Sequence, residues 1–160
     1  MTELSREIFE SAQTIRGQIT EDRRNFHQIP EGGTDLPKTS AYIKKRLDEM
    51  GIEWRECGGP LPEKLAEDYK EAGFSHMERE TGIVALIGHG SPCILLRADM
   101  DALPVKEDTD LEYRFPGECG HMCGHDGHMA MLLGAARILK SMEPELKGTV
   151  KLMFQPGEET

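Results

Sequence analysis

The stretch that decides the fold of this chain is GHMCGHDGH, residues 120–128. It holds three of the six histidines and one of the four cysteines of the 160-residue sequence. Thiolate and neutral imidazole are good ligands for zinc and similar metals. Cys123 and His125 are two positions apart, so in an extended segment their side chains point to the same side and can bind one ion. The pattern predicts a metal site, and its alternative is a buried thiol beside hydrogen-bonded imidazoles.

The regions on either side of this stretch predict strands and a helix. Residues 131–142 are apolar over most of a helical circumference, which predicts an interior helix, and residues 150–154 form the next strand. Upstream, the apolar runs 82–87 and 93–98 are joined by glycine, serine and proline, which predicts a hairpin whose second strand is covered on both faces. A strand, helix and strand in succession predict that the strands of Leu95 and Leu152 run parallel.

The first half of the chain predicts two helices, a strand and an insert. Helical spacing of apolar residues indicates one helix over residues 4–27 and a second over 39–50. His27, at the end of the first, is expected to be a helix-terminal or packing residue and not a ligand. Residues 52–57 alternate in polarity and predict a half-buried strand. Residues 61–79 form a polar insert with a short surface helix, to which we assign no chemical role; its His76 is expected to be solvated.

Four acidic residues follow the predicted strands. Asp99 and Asp101 come after the strand 93–98, and Glu158 and Glu159 follow the strand 150–154. Ligands of open α/β sheets bind at the carboxyl ends of strands, and carboxylates are costly to bury there without a cation. The sequence therefore predicts that these four acids share one rim with the thiol and imidazole described above, the alternative being a solvated loop rim.

Composition narrows the class of protein. The chain carries 19 basic and 29 acidic residues, a net charge of −10, which makes a nucleic-acid partner unexpected. Hydrophobic residues make up 38% of the sequence, enough for one domain of ordinary size. The N-terminal residues lack the pattern of a secretory signal and no apolar run is long enough for a bilayer, so we expect a cytoplasmic protein without a membrane partner and with reduced thiols.

Four motifs together resemble a known family. They are RNFHQIPE (residues 24–31), RADMDALP (97–104), CGHDGH (123–128) and FQPGEE (154–159). In this order and spacing they resemble the metal-dependent amidohydrolases of the aminoacylase and carboxypeptidase type, the branch with hippurate hydrolase and the indole-acetyl-amino-acid hydrolases. The resemblance implies an α/β fold in which residues 1–160 are the N-terminal part of a zinc-exopeptidase-like catalytic domain, a mixed sheet flanked by helices, without the lid domain.

The resemblance also implies roles for individual residues. Cys123, His125 and Glu159 match metal ligands, Glu158 matches the general base, and Asp101 matches the acid that supports the metal centre. Asp99 stands where more distant peptidases have a histidine ligand. The implied complete site holds two divalent ions, of manganese, zinc, cobalt or nickel, and a metal-activated water hydrolyses the amide bond of a small N-acyl amino acid or short peptide.

In that family further ligands and a lid domain follow the motif that matches FQPGEE (154–159). The resemblance therefore implies that a homodimer would form through the lid. We expect residues 1–160 alone to hydrolyse N-acyl amino acids negligibly, since the complete metal pair needs the later ligands.

Two rival interpretations use the same residues. One is a structural zinc or regulatory module built from Cys119, His121, Cys123 and His125, which replacement of Cys119 by serine would disable. The other is thiol catalysis by Cys123 with a histidine base, which requires a lowered thiol pKa and survives a chelator.

Overall fold

The computed structural model describes residues 2–72 and 77–160 of the chain. The helices are α1 (Glu3–Thr14), α2 (Arg16–His27), α3 (Pro37–Glu49), α4 (Glu63–Glu71) and α5 (His125–Ser141), with a short 3-10 turn at Glu143–Glu145. The strands are β1 (Trp54–Cys57), β2 (Gly82–Gly88), β3 (Cys93–Asp99) and β4 (Thr149–Gln155). They form one mixed sheet in the order β1-β2-β4-β3, so the predicted fold class of a mixed sheet with helices is confirmed.

The single helix predicted over residues 4–27 is wrong, because the structure divides it at Ile15. Ile15 has φ −95° and ψ 6°, and α2 begins at the next residue. α2 packs closely on the interior helix α5: a Cβ atom added at Gly134 would lie 2.8 Å from Cδ1 of Ile19. α1 buries none of its side chains. The apolar periodicity continues through Ile15, so it carries no signal of the break.

The predicted hairpin of β2 and β3 is also wrong, because β4 lies between them. β4 pairs antiparallel with β2 and parallel with β3, which confirms the parallel arrangement of Leu95 and Leu152. Thr149, the first residue of β4, donates its backbone N–H to the carbonyl of Pro92 and its hydroxyl to that of Gly90, each at 2.9 Å. The turn residues 88–92 therefore form a wider connection whose carbonyl groups are satisfied by the inserted strand.

β3 is an edge strand, not a strand covered on both faces. Its pairing partner is β4, and within the described part of the chain its other edge carries no strand. Ile94 and Leu95 are 55% and 49% exposed. An apolar run alone does not distinguish a central strand from an edge strand, because the difference depends on what covers it.

The core lies on one face of the sheet, under α2, α3 and α5. Alternate residues of β2 and β4 point into it, and the fully buried members are Ile83, Ile87, Leu152 and Phe154. α5 packs against α2 and against three of the four strands, so its prediction as an interior helix is confirmed, although Met131 is exposed. Because β3 and β4 are parallel and α5 connects them, the ends of both strands and the start of α5 meet at one rim of the sheet.

The insert closes on itself. Pro60 and Arg79 form an isolated bridge, and α4 lies between them with no buried residue. His76 lies outside the described residues. Within residues 2–72 and 77–160, the helices all lack the length and apolar content needed to cross a bilayer.

Candidate metal centre

His125 is the centre of the rim. It is the first residue of α5, follows Gly124 in the left-handed region at φ 110°, and is 2% exposed. Its Nε2 atom lies 3.6 Å from the Asp99 carboxylate, 3.8 Å from that of Glu158 and 3.7 Å from that of Glu159. The structure thus brings three of the four predicted acids around one imidazole nitrogen.

The other ring nitrogen of His125 is already engaged. Nδ1 lies 2.8 Å from the backbone carbonyl oxygen of Asp101, which only accepts, so Nδ1 carries the proton and donates it. In the neutral ring the Nε2 lone pair is then the free one, and it faces the carboxylates. A hydrogen bond from one ring nitrogen that fixes the tautomer and orients the other is the usual support of a metal-binding histidine.

Asp101 organises the loop after β4. Its side chain is buried, and its two oxygens accept the backbone N–H groups of Glu158 and Glu159 at 3.0 and 2.9 Å. Asp101 therefore faces the backbone of the loop and fixes the positions of both glutamates. An isolated bridge between Leu103 and Gly120 brings the chain back to the rim three residues before Cys123.

Three side chains provide one set of ligand atoms. The Sγ of Cys123, a ring nitrogen of His125 and a carboxylate oxygen of Glu159 all lie within 4.8 Å of one another. Cys123 and His125 come from the stretch that leads into α5, and Glu159 comes from the loop after β4. Thiolate, imidazole and carboxylate suit a borderline divalent ion such as zinc or cobalt. The donor chemistry and the fixed tautomer of His125 fit a metal at this position.

A second set shares the same histidine. Asp99, His125 and His128 also offer atoms within 4.8 Å of one another, and His128 Nδ1 is 3.3 Å from the Asp99 carboxylate. Both sets need Nε2 of His125, because its Nδ1 donates to Asp101. The two sets are therefore alternative positions for one ion. His128 lies three positions after His125, a spacing that places both side chains on one helix face.

The thiol environment disfavours cysteine catalysis. The hydrogen bond to the Glu159 carboxylate, together with burial and the other acids, raises the pKa of the Cys123 thiol. A nucleophilic cysteine needs the opposite shift. A bound cation would reverse this electrostatic balance by neutralising the carboxylates.

The structural zinc quartet is not assembled. Among the described residues, Cys123 and His125 share their set with Glu159, and neither Cys119 nor His121 belongs to a set of three. Burial raises the pKa of the Cys119 thiol. His121 is buried, burial lowers its pKa to about 4, and neither ring nitrogen has a hydrogen-bond partner among the described residues.

Known proteins share the part of the chain that carries the motifs. Residues 95–160 match peptidase family M20/M25/M40. Among curated proteins, the chain is 41% identical over 140 residues to IAA-amino acid hydrolase ILR1-like 5 of Arabidopsis thaliana, covering 86% of this chain and 27% of that protein. It is 42% identical over 149 residues to N-acetyl-L-cysteine deacetylase of Bacillus subtilis, covering 91% and 31%.

A solved structure shows the same fold. The chain superposes on the YXEP protein of Bacillus subtilis, described as a dinuclear metal binding peptidase from the M20 family, with a TM-score of 0.73 and 33% identity. The match covers 92% of this chain and 37% of that one. The resemblance drawn from the motifs is therefore confirmed, and the chain spans about a third of the length of these relatives.

Proposed function

We propose that this chain, which is related by sequence and fold to the peptidases of family M20/M25/M40, forms the N-terminal part of the catalytic domain of a metal-dependent amide hydrolase. The observation that supports it most directly is the convergence of Cys123 and His125, before and at the start of α5, with Glu159 after β4, their ligand atoms lying within 4.8 Å of one another. The acidic rim supports the same conclusion, because carboxylates gathered around one imidazole need a cation to balance their charge.

Each rim residue has a distinct part in this proposal. Cys123, His125 and Glu159 hold the ion, and Asp101 keeps the two glutamates in place through their backbone N–H groups. A divalent ion there supplies Lewis-acid chemistry, acidifying water and polarising a carbonyl. Glu158, whose side chain is 41% exposed beside His125, takes the proton from the attacking water and returns it to the leaving amine.

The substrate class and the second metal rest on the relatives. The plant and Bacillus proteins are named for hydrolysis of amino-acid conjugates, so we propose a small N-acyl amino acid or short peptide as the substrate. Both sets of ligand atoms at the rim use the same His125 side chain, so we propose that a second ion takes further ligands from outside this rim. Manganese, zinc, cobalt and nickel all remain in the proposal, as do a homodimer and a cytoplasmic location.

Cobalt titration of the purified chain tests the metal centre. We expect one Co²⁺ per chain and an absorption band from sulfur-to-cobalt charge transfer. Cys123→Ser should remove the band, whereas Cys93→Ser, at an exposed cysteine, should keep it. Glu159→Gln should weaken binding, and Glu145→Gln, at an exposed acid, should not. Absence of Co²⁺ binding in the unaltered chain contradicts the proposal.

Hydrolysis is tested separately. We expect release of free amino acid from N-acetylcysteine or hippurate by residues 1–160 to stay at background with Co²⁺, Mn²⁺ or Zn²⁺ present, because the second ion lacks its ligands. Turnover that depends on metal and is lost in Glu158→Gln would show that this part suffices for the reaction.

A further inference from the structure

A buried ionic cluster lies directly behind the metal centre. His27, at the end of α2, contacts Asp126 with Nδ1 at 2.8 Å and Glu107 with Nε2 at 2.9 Å. The three residues are 4%, 0% and 3% exposed. Arg23 adds an Nε–H bond to Asp126 at 3.0 Å. The family motifs include both His27 and Asp126, yet the proposed reaction uses neither.

The charges of this cluster balance. Both ring nitrogens of His27 face carboxylate oxygens, which accept, so both nitrogens donate and the ring is held as an imidazolium. Burial raises the pKa of Glu107, but hydrogen bonds from Thr109 and His27 together lower it. With Arg23, the cluster holds two positive and two negative groups. Removing one partner of such a buried set leaves an uncompensated charge, so the geometry is strongly held.

The cluster joins three segments at the start of α5. His27 belongs to α2, Glu107 belongs to the loop between β3 and α5, and Asp126 is the second residue of α5. The other oxygen of Asp126 accepts the backbone N–H of Gly127 at 2.8 Å. Asp126 therefore fixes the backbone of the first turn, and His125 is the residue just before it.

The His125 side chain is itself anchored to the carbonyl of Asp101. Nε2 reaches the rim only if the backbone of residue 125 and the ring orientation are both fixed. Asp101 supplies the orientation of the ring, and the cluster supplies the position of the backbone. A small shift of the first turn would move Nε2 away from Cys123 and Glu159.

We propose that His27 is a positioning residue of the metal centre. From α2 it binds Asp126 and thereby fixes the position of His125, which determines the affinity and geometry of the bound ion. This inference rests on the proposed function of the rim. It predicts that α2, which has no residue in the ligand set, controls metal binding. Outer partners of metal ligands typically change affinity about ten- to a hundred-fold.

The test compares His27→Gln with a matched variant of the same helix. Asp22 of α2 is also buried and paired, with Arg46 Nε at 2.9 Å, but it faces α3 and not the rim. Both variants, His27→Gln and Asp22→Asn, should lose stability. We expect a Co²⁺ affinity about ten- to a hundred-fold weaker and an altered charge-transfer band in His27→Gln alone.

The readout separates positioning from folding. The unfolding transition of each variant without metal is first determined by circular dichroism. Co²⁺ affinity and the absorption spectrum are then measured at temperatures below that transition. If His27→Gln does not fold, the double variant His27→Gln/Glu107→Gln, which removes one charge of each sign, replaces it. Unaltered affinity and spectrum in the folded variant would overturn the proposal, as would an equal loss in Asp22→Asn. Absence of Co²⁺ binding in the unaltered chain would instead refute the metal centre itself.

Discussion

His125 and His27 lie in two regions that look alike in composition and differ in geometry. Both imidazoles are buried among carboxylates. The carboxylates at His27 are at 2.8 and 2.9 Å, whereas those at Nε2 of His125 are at 3.6 to 3.8 Å, beyond hydrogen-bond distance. Arg23 completes the charge balance at His27. Around His125 the acids outnumber the cations, although Arg97 pairs with Asp99 at 2.6 Å.

This difference distinguishes a structural ionic cluster from a binding site. A cluster whose donors and acceptors match and whose charges cancel gains nothing from a further ion. A set of like charges that points a free lone pair and a thiol into one space is electrostatically unfavourable until a cation arrives. The two regions should therefore respond oppositely to removal of an acid and to addition of metal.

The largest expected effect is on metal binding at the rim. His125→Gln should lower Co²⁺ affinity by more than about a hundred-fold, because both alternative ligand sets use its Nε2 atom. His89→Gln, at an exposed histidine, serves as the control in the same titration. Retained affinity in His125→Gln would remove the distinction between the two regions.

A large loss of stability is expected in the interior. Asp126→Asn leaves the positive groups of Arg23 and His27 without one of their two carboxylates, so the free energy of unfolding without metal should fall by about 3–5 kcal/mol. Urea unfolding measures it, with Asp108→Asn, at an exposed aspartate, as the control. A loss no greater than that of the control would show that the cluster is not a stabilising unit.

An acid of the rim should behave in the opposite way. Glu159→Gln removes one of several like charges, so unfolding without metal should become slightly harder, by less than about 1 kcal/mol. The same variant should lose the stabilisation that added Co²⁺ gives the unaltered chain. Urea unfolding with and without Co²⁺ measures both; a loss as large as that of Asp126→Asn would place Glu159 in a structural cluster.

The smallest expected effect concerns a hydrogen bond between α3 and α2, outside the rim. Tyr42 donates its hydroxyl to Asp22 at 2.7 Å, and burial together with this hydrogen bond raises its pKa to about 12. Its folded pKa lies above the unfolded value of 10.0, so its contribution is complete below pH 10 and is lost as the pH rises towards about 12. The stabilities of the unaltered chain and Tyr42→Phe should converge over that interval in urea unfolding; a constant difference would contradict the shift.

Local patterns predicted much of the fold. The helix of residues 131–142, the strand 150–154 and the parallel pairing of Leu95 with its partner strand depend on periodicity and on the order of elements, which neighbouring residues encode. The hairpin prediction was wrong because turn residues specify a reversal of chain direction but not whether another strand lies between the two strands. β4 enters there through contacts of Thr149 with residues about 60 positions earlier.

The sequence predicted the chemistry of the candidate site but not which of its polar residues pair with one another. Cys123, His125 and the acids were recognisable by residue type and motif. His27 was predicted to be a helix-terminal or packing residue, because nothing near it in sequence marks Asp126 or Glu107 as its partners, 99 and 80 positions away.

The sequence by itself determined which elements form, which residues can bind a metal, and that their motifs belong together. Tertiary structure decided the strand order, which nitrogen of His125 is free, and which carboxylates are neutralised. The physical reason is range: propensity, spacing and ligand chemistry are properties of the chain over a few residues. Strand insertion, burial and charge balance arise only when distant segments exclude water from one another.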